Sequence, residues 1–259
     1  MRNLKRTLSL VLAAVMLVGM MVVVASAASS DFVDGNEITY AEAAEVMTAL
    51  GVFEGTDKGA FDPTGILTRE QAAAIICRML LGDDAENLTT NSTVFSDVAA
   101  GRWSAGYIGY CAQQNILAGT GNGTFNPEGE LTGLAFAKML LVALGFKSEI
   151  EGFTGANWAV NVNVRANQKG LFDELSINPS EGLTRDNAAQ MVWNALDAGV
   201  VSYDYTLITD GSSITSSPTL KDDKDDKTLL EDKFKVAKLE GVIISNEYAT
   251  STSTAPEKE

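Results

Sequence analysis

The stretch 114–133, QNILAGTGNGTFNPEGELTG, leaves an apolar run through a glycine-bearing polar loop, reaches Phe125-Asn126-Pro127, and closes on Leu131-Thr132. The same phrase stands at 50–69 as LGVFEGTDKGAFDPTGILTR and, shortened, at 169–185 as KGLFDELSINPSEGLTR. Its prolines, Pro63, Pro127 and Pro179, lie 64 and 52 residues apart, the spacing of a tandem array. A unit of this size is too small to bury its own apolar face, so neighbouring copies must share a core.

Each copy implies a helix on either side of the loop. In the first, Thr39-Tyr40-Ala41-Glu42 reads as a capping box, and a helix runs to Leu50 with Ala43, Val46, Met47 and Leu50 on one side before Gly51 ends it. After the loop, Thr68 and Gln71 form a second box, followed by the apolar stripe Ile75, Ile76, Met79 and Leu80 and a stop at Gly82. The second copy gives helices at 103–115 and 132–144, and the third at 158–168 and 184–196. The fold class expected is all-α, with helix–loop–helix units at 30–85, 92–147 and 150–200.

Past residue 200 the composition changes. Tyr203–Thr219 is rich in Ser, Thr and Asp, and Lys221–Lys227 is a run of Lys and Asp, so 201–228 reads as a solvated linker. That run lacks the spacing of a calcium loop. Residues 229–259 read as a β-prone segment and tail, with a short helix or strand at 229–238 and a strand at 238–248 around Val242-Ile243-Ile244. One strand cannot be a domain, which implies a larger β-rich partner domain beyond it.

The N-terminus carries Arg2, Lys5 and Arg6, then an apolar run from Leu8 to Val24, then Ala25-Ser26-Ala27. That is the layout of a secretory signal peptide, residues 1–27, and the mature chain is expected to be exported with no membrane segment. Formal charge is −15, becoming −18 once the three basic residues leave with the signal, and no basic stripe is present. Nucleic acid and anionic lipid are therefore excluded as partners. The chain has no histidine, which removes His-dependent catalytic triads and His metal sites. No metal, no cofactor and no enzymatic activity are expected. Gly119-Thr120-Gly121-Asn122-Gly123 lacks the lysine ending and preceding strand of a phosphate loop. Export would permit a Cys77–Cys111 disulfide, but the equivalent residues in the other copies are apolar (Leu141 and Trp193; Met47 and Ala166), which favours buried thiols.

The repeated phrase resembles the S-layer homology (SLH) domain of bacterial surface proteins, whose motif runs F-x-D-V, W-A, a G-x-x-D/N-G-T-F-x-P loop, and I-T-R-A-E. The second copy supplies Phe95-Ser96-Asp97-Val98, Trp103 and Asn122–Pro127; the first supplies Phe32-Val33-Asp34, Phe61-Asp62-Pro63 and Leu67-Thr68-Arg69; the third supplies Trp158-Ala159, Ile177-Asn178-Pro179 and Leu183-Thr184-Arg185. The resemblance covers residues 30–200 and implies a pseudo-threefold spindle. Its grooves would bind secondary cell-wall polysaccharide through a pyruvylated sugar, placing the chain on the cell wall or in an S-layer, in contact with other S-layer subunits. Carried over position by position, the groove residues are Asp34, Gly55, Arg69, Asp97, Trp103, Gly119, Trp158 and Arg185. A guanidinium suits a ketal carboxylate and an indole suits a sugar face; the amide groups at the helix start beside each arginine would add attraction for the anion.

Structural roles stand beside these. The tryptophans serve equally as braces, the aspartates as turn formers, and Trp193 reads as core. No copy is complete: Gly133 replaces the arginine in the second, Gly155 the aspartate in the third, and Thr39 the tryptophan in the first, while the final Glu of the motif is Gln71, Ala135 or Asn187. One competent groove, or two, is expected rather than three. The alternative to a non-catalytic anchor is the anchor portion of an exported glycan-active enzyme.

Overall fold

The computed structural model describes residues 32–89, 94–209, 214–222 and 228–236. The signal segment 1–27, the strand expected at 238–248 and the tail lie outside them. In order come α1 (Ala41–Ala49), α2 (Arg69–Leu81), α3 (Ala105–Gln113), α4 (Gly133–Ala143), the short α5 (Ser148–Glu151), α6 (Trp158–Gln168) and α7 (Arg185–Asp197), then strands β1 (Val201–Thr209) and β2 (Ile214–Asp222) and a last helix α8 (Leu229–Phe234).

The threonine of each Leu-Thr pair caps the helix that follows. Thr68 accepts from the Gln71 N–H while the Gln71 side chain accepts from the Thr68 N–H, completing the box. Thr132 and Thr184 accept likewise from Ala135 and Asn187. The box expected at Thr39 is not made. Helix α1 starts behind Tyr40 without a side-chain cap, and the Asp186 carboxylate at the start of α7 accepts from the Thr39 and Tyr40 N–H groups instead, at 2.9 and 3.2 Å. A tertiary acceptor has displaced a local one.

The leucines of the same pairs close a ring. Leu67 N–H donates to the Leu183 carbonyl, Leu183 to Leu131, and Leu131 to Leu67, all within 2.8–2.9 Å, and all three side chains are buried. The next two amides of each helix follow the same order. Arg69 and Glu70 donate to the Gly129 and Pro127 carbonyls, Gly133 and Leu134 to Glu181 and Pro179, and Arg185 and Asp186 to Gly65 and Pro63. Repetition of the proline is thereby explained: its carbonyl satisfies a helix-start N–H that would otherwise lack a partner. The ring sits on one continuous core that includes Met47, Phe61, Phe125, Phe136, Phe153, Leu140 and Met191.

Cys77 and Cys111 are free and fully buried where α2 crosses α3, their sulfurs 3.5 Å apart. Each thiol faces a carbonyl of the opposite helix, Cys77 that of Tyr107 and Cys111 that of Ala73. Trp193 departs from the core reading: it is only partly buried and packs at the edge of the core.

The all-α expectation is corrected beyond residue 200. Residues read as a linker form an antiparallel hairpin pairing Val201 with Asp222 through Thr209 with Ile214. Ser/Thr content suggested solvation, yet Val201, Tyr203, Tyr205 and Leu207 alternate here with Ser202, Asp204 and Thr206, and β-branched and aromatic residues favour strand. An isolated hairpin is marginal in water. This one is held to the helices by the Val201 N–H on the Leu144 carbonyl and by Tyr203, whose hydroxyl donates to Glu151 at 2.7 Å. Residues 229–234 are helix α8, whose Leu229 and Leu230 are buried in the common core.

Candidate functional site

Arg69 and Arg185 do the same thing at two different seams. Arg69 donates from Nε to the Phe125 carbonyl and from Nη2 to the Ala118 carbonyl, both at 2.8 Å; Arg185 donates to the Phe61 and Glu54 carbonyls, both at 2.9 Å. Each guanidinium also lies over the phenylalanine whose carbonyl it engages, Phe125 at 4.5 Å and Phe61 at 5.4 Å. Each arginine thus reaches from one segment's second helix into the loop of another. Burial pushes both guanidinium pKa values down, against opposing attraction from Asp97 for Arg69 and from Asp62 and Asp34 for Arg185.

Asp34 and Asp97 stand behind those loops. Asp34 accepts from the Phe61 and Asp62 N–H groups at 2.8 and 2.7 Å, and Asp97 from Phe125 and Asn126 at 2.7 Å each. Asp62 and Asn126 have φ of 60° and 57°, so the carboxylates hold a turn that the backbone would otherwise resist. In both cases burial pushes the carboxyl pKa up, and the backbone donors outweigh it and leave the pKa below the ordinary value. Gly55 and Gly119 are close-approach positions: a Cβ would lie 2.9 Å from the Phe32 ring at Gly55 and 2.7 Å from the Phe95 ring at Gly119.

Among the described residues, three clefts along the seams bear on the expected site. The first, of about 360 Å³, brings together Arg69, Gly119 and Trp158 of the expected residues and adds Lys138, Phe125 and Phe153. The second, of about 190 Å³, joins Arg185, Gly55 and Trp103 with Arg78, Glu54 and Asp62. Each therefore draws its arginine, loop glycine and tryptophan from three different segments. The third, of about 310 Å³, carries Thr39, Tyr40, Glu42, Glu174, Gln190 and Trp193. Asp34 and Asp97 line none of the three, and act through the loops they hold.

The attraction expected from helix-start amides is corrected. The N–H groups of Arg69, Glu70, Arg185 and Asp186 are all spent on neighbouring carbonyls, so attraction for an anion rests on the side chains. Trp103 stands 56% exposed beside the second cleft. It is set there by Glu70, whose carboxylate accepts from Arg102 at 2.7 and 2.8 Å and from the Ser104 hydroxyl at 2.5 Å. Burial pushes the Glu70 carboxyl up, but Arg102 and Ser104 outweigh it and leave it below the ordinary value. Sequence reasoning missed Lys138, Arg78 and Glu70. Lys138 and Arg78 carry no motif signal, and only their place on the inner turns of α4 and α2 points to them.

This architecture is that of a helical module built from repeated units, with clefts at their seams. The family model described as S-layer homology domain matches residues 31–73 and 94–137, so the chain carries SLH sequence at these two segments. It is similar to a cell surface protein of Thermoanaerobacter kivui, 28% identical over 222 residues that cover 85% of this chain and 27% of that protein. It is also similar to a cellulosome-anchoring protein of Acetivibrio thermocellus, 26% identical over 56% of this chain and 35% of that protein. An S-layer protein of Bacillus anthracis matches at 26% identity over 56% of this chain and 19% of that protein. The chain thus spans about a third or less of the length of these relatives. It is a cell-surface, cell-wall-associated protein, and among the described residues no helix is long and apolar enough to cross a membrane.

Proposed function

We propose that the chain is a non-catalytic wall-anchoring module. Its units at 30–85, 92–147 and 150–200 are three SLH repeats closed as a pseudo-threefold spindle, and one or two of the clefts between them bind secondary cell-wall polysaccharide at a pyruvylated sugar. The third unit lies outside the family-model match, and its support is the leucine ring, in which Leu183 has the same role as Leu67 and Leu131. The site residues are Arg69, Gly119 and Trp158 in one cleft and Arg185, Gly55 and Trp103 in another, with Asp34 and Asp97 holding the loops. Names of relatives as cellulosome-anchoring and S-layer proteins favour an anchor.

The observation that carries this reading is a tryptophan beside cations in a cleft of a chain whose formal charge is −15. Such an acidic chain repels an anionic polymer at long range, and salt screens that repulsion beyond about 8–10 Å. Local cations at short range then decide binding, and the indole offers the sugar ring an apolar platform. Co-sedimentation with purified wall sacculi tests it. The protein should pellet with intact sacculi and stay in solution after acid removal of the secondary polymer; equal pelleting on stripped sacculi would sink the polysaccharide reading.

A further inference from the structure

The three clefts occupy equivalent seams but differ in charge. Among its lining residues the first has two cations, Arg69 and Lys138, and no carboxylate. The second sets Arg78 and Arg185 against Glu54 and Asp62. The third has Glu42 and Glu174 and no cation.

Availability sharpens the contrast. In the second cleft Arg78 is held by Glu54 and Glu86, both at 2.8 Å, and Arg185 is only 8% exposed. In the first, Arg69 keeps its Nη1 edge free of the two carbonyls that fix its other nitrogens. Lys138, from α4, is half-buried and forms no ion pair within 4 Å among the described residues. Burial pushes its ammonium pKa down, opposed only by Glu149, so an arriving anion would restore the charge stabilisation that water has lost there. Size agrees: about 360 Å³ lies within the usual range for ligand pockets, roughly 300–1,000 Å³, and about 190 Å³ does not.

Resting on the wall-binding reading, we infer that the Arg69–Lys138 cleft alone is the working anion site. Lys138 meets the carboxylate of an acidic sugar, Arg69 forms the rigid cationic wall, and Trp158 takes the ring's apolar face. The acidic third cleft excludes the same ligand.

Titration of the protein with native wall sacculi distinguishes the clefts. Lys138→Gln should weaken pelleting about tenfold or more, the loss of one charge-assisted contact. Lys138→Arg should stay within about threefold of wild type, and Gln190→Ala, in the third cleft, within about twofold. Lys138→Glu supplies a second variant should Lys138→Gln fold poorly, and should abolish pelleting. Wild-type binding by Lys138→Gln and Lys138→Glu, or an equal loss from Gln190→Ala, would overturn the single-site inference while leaving wall binding intact. Failure of the wild type to pellet would overturn both.

Discussion

The seams closed by Arg69 and Arg185 and the seam at Gly133 share one backbone pattern and differ in what fills them. At the first two, a guanidinium crosses to a neighbouring loop and ties down two carbonyls. At the third there is no side chain to cross. A Cβ on Gly133 would sit 3.1 Å from the Pro179 Cα and 3.2 Å from its carbonyl oxygen, with the Ile177 side chain beside it at 3.5 Å. The ring of leucines and the proline carbonyls therefore hold all three seams, and arginine is an addition at two of them. A residue that a binding motif singles out is also part of the scaffold, and its removal will not report on binding alone.

The Arg185 seam is the place to break that view. Arg185→Ala strips partners from the Phe61 and Glu54 carbonyls in a buried setting, and should cost about 2–4 kcal/mol in the thermal or denaturant melt. An unchanged melt would mean the arginine is free for ligand and not structural. At the more exposed Arg69 seam, Arg69→Ala should cost about 1–2 kcal/mol and also weaken wall binding, which separates the two arginines by function.

Glu70 extends the comparison to how each first helix is fastened. Glu70 grips Arg102 and Ser104 ahead of α3, Asp186 grips the amides ahead of α1, and the corresponding residue at the Gly133 seam is Leu134, which offers no acceptor. Glu70→Gln should cost about 1–2 kcal/mol and loosen Trp103, read as a rise in indole fluorescence quenching by iodide. The folded Glu70 carboxyl is held below its unfolded value, about 4.3. Its stabilisation is therefore complete above that value and is lost as pH falls through the lower folded value. Melts from pH 6 down to pH 3 should show a smaller decline in Glu70→Gln than in wild type. Last, Gly133→Ala should cost about 1 kcal/mol or less, because Pro179 must give by only a few tenths of an ångström. A larger loss would make the Gly133 seam the tightest of the three.

Much of this was legible in the chain. Helix α6 falls on the expected 158–168, and the Thr68–Gln71 box forms as read. Those signals are local: a cap needs only residues three apart, and a stripe needs only helical spacing. The Thr39 box failed because Asp186, distant in sequence, takes the Thr39 N–H that the Glu42 carboxylate would have accepted from, and the Tyr40 N–H beside it. The hairpin at 201–222 was misread because composition outweighed alternation. Arg69, Gly119 and Trp158 were each named from the motif, but nothing in their spacing shows that they share a cleft, or that Lys138 joins them.

By itself the sequence determined the helices, the threonine caps at Thr68, Thr132 and Thr184, the loop glycines and the repetition, because each depends on neighbours along the chain. Only the tertiary structure decided which segment lends its arginine to which loop, and that one cleft is cationic, one mixed and one acidic. Those outcomes depend on residues far apart in sequence, brought together by the closed ring of Leu67, Leu131 and Leu183 and by the buried core beneath it.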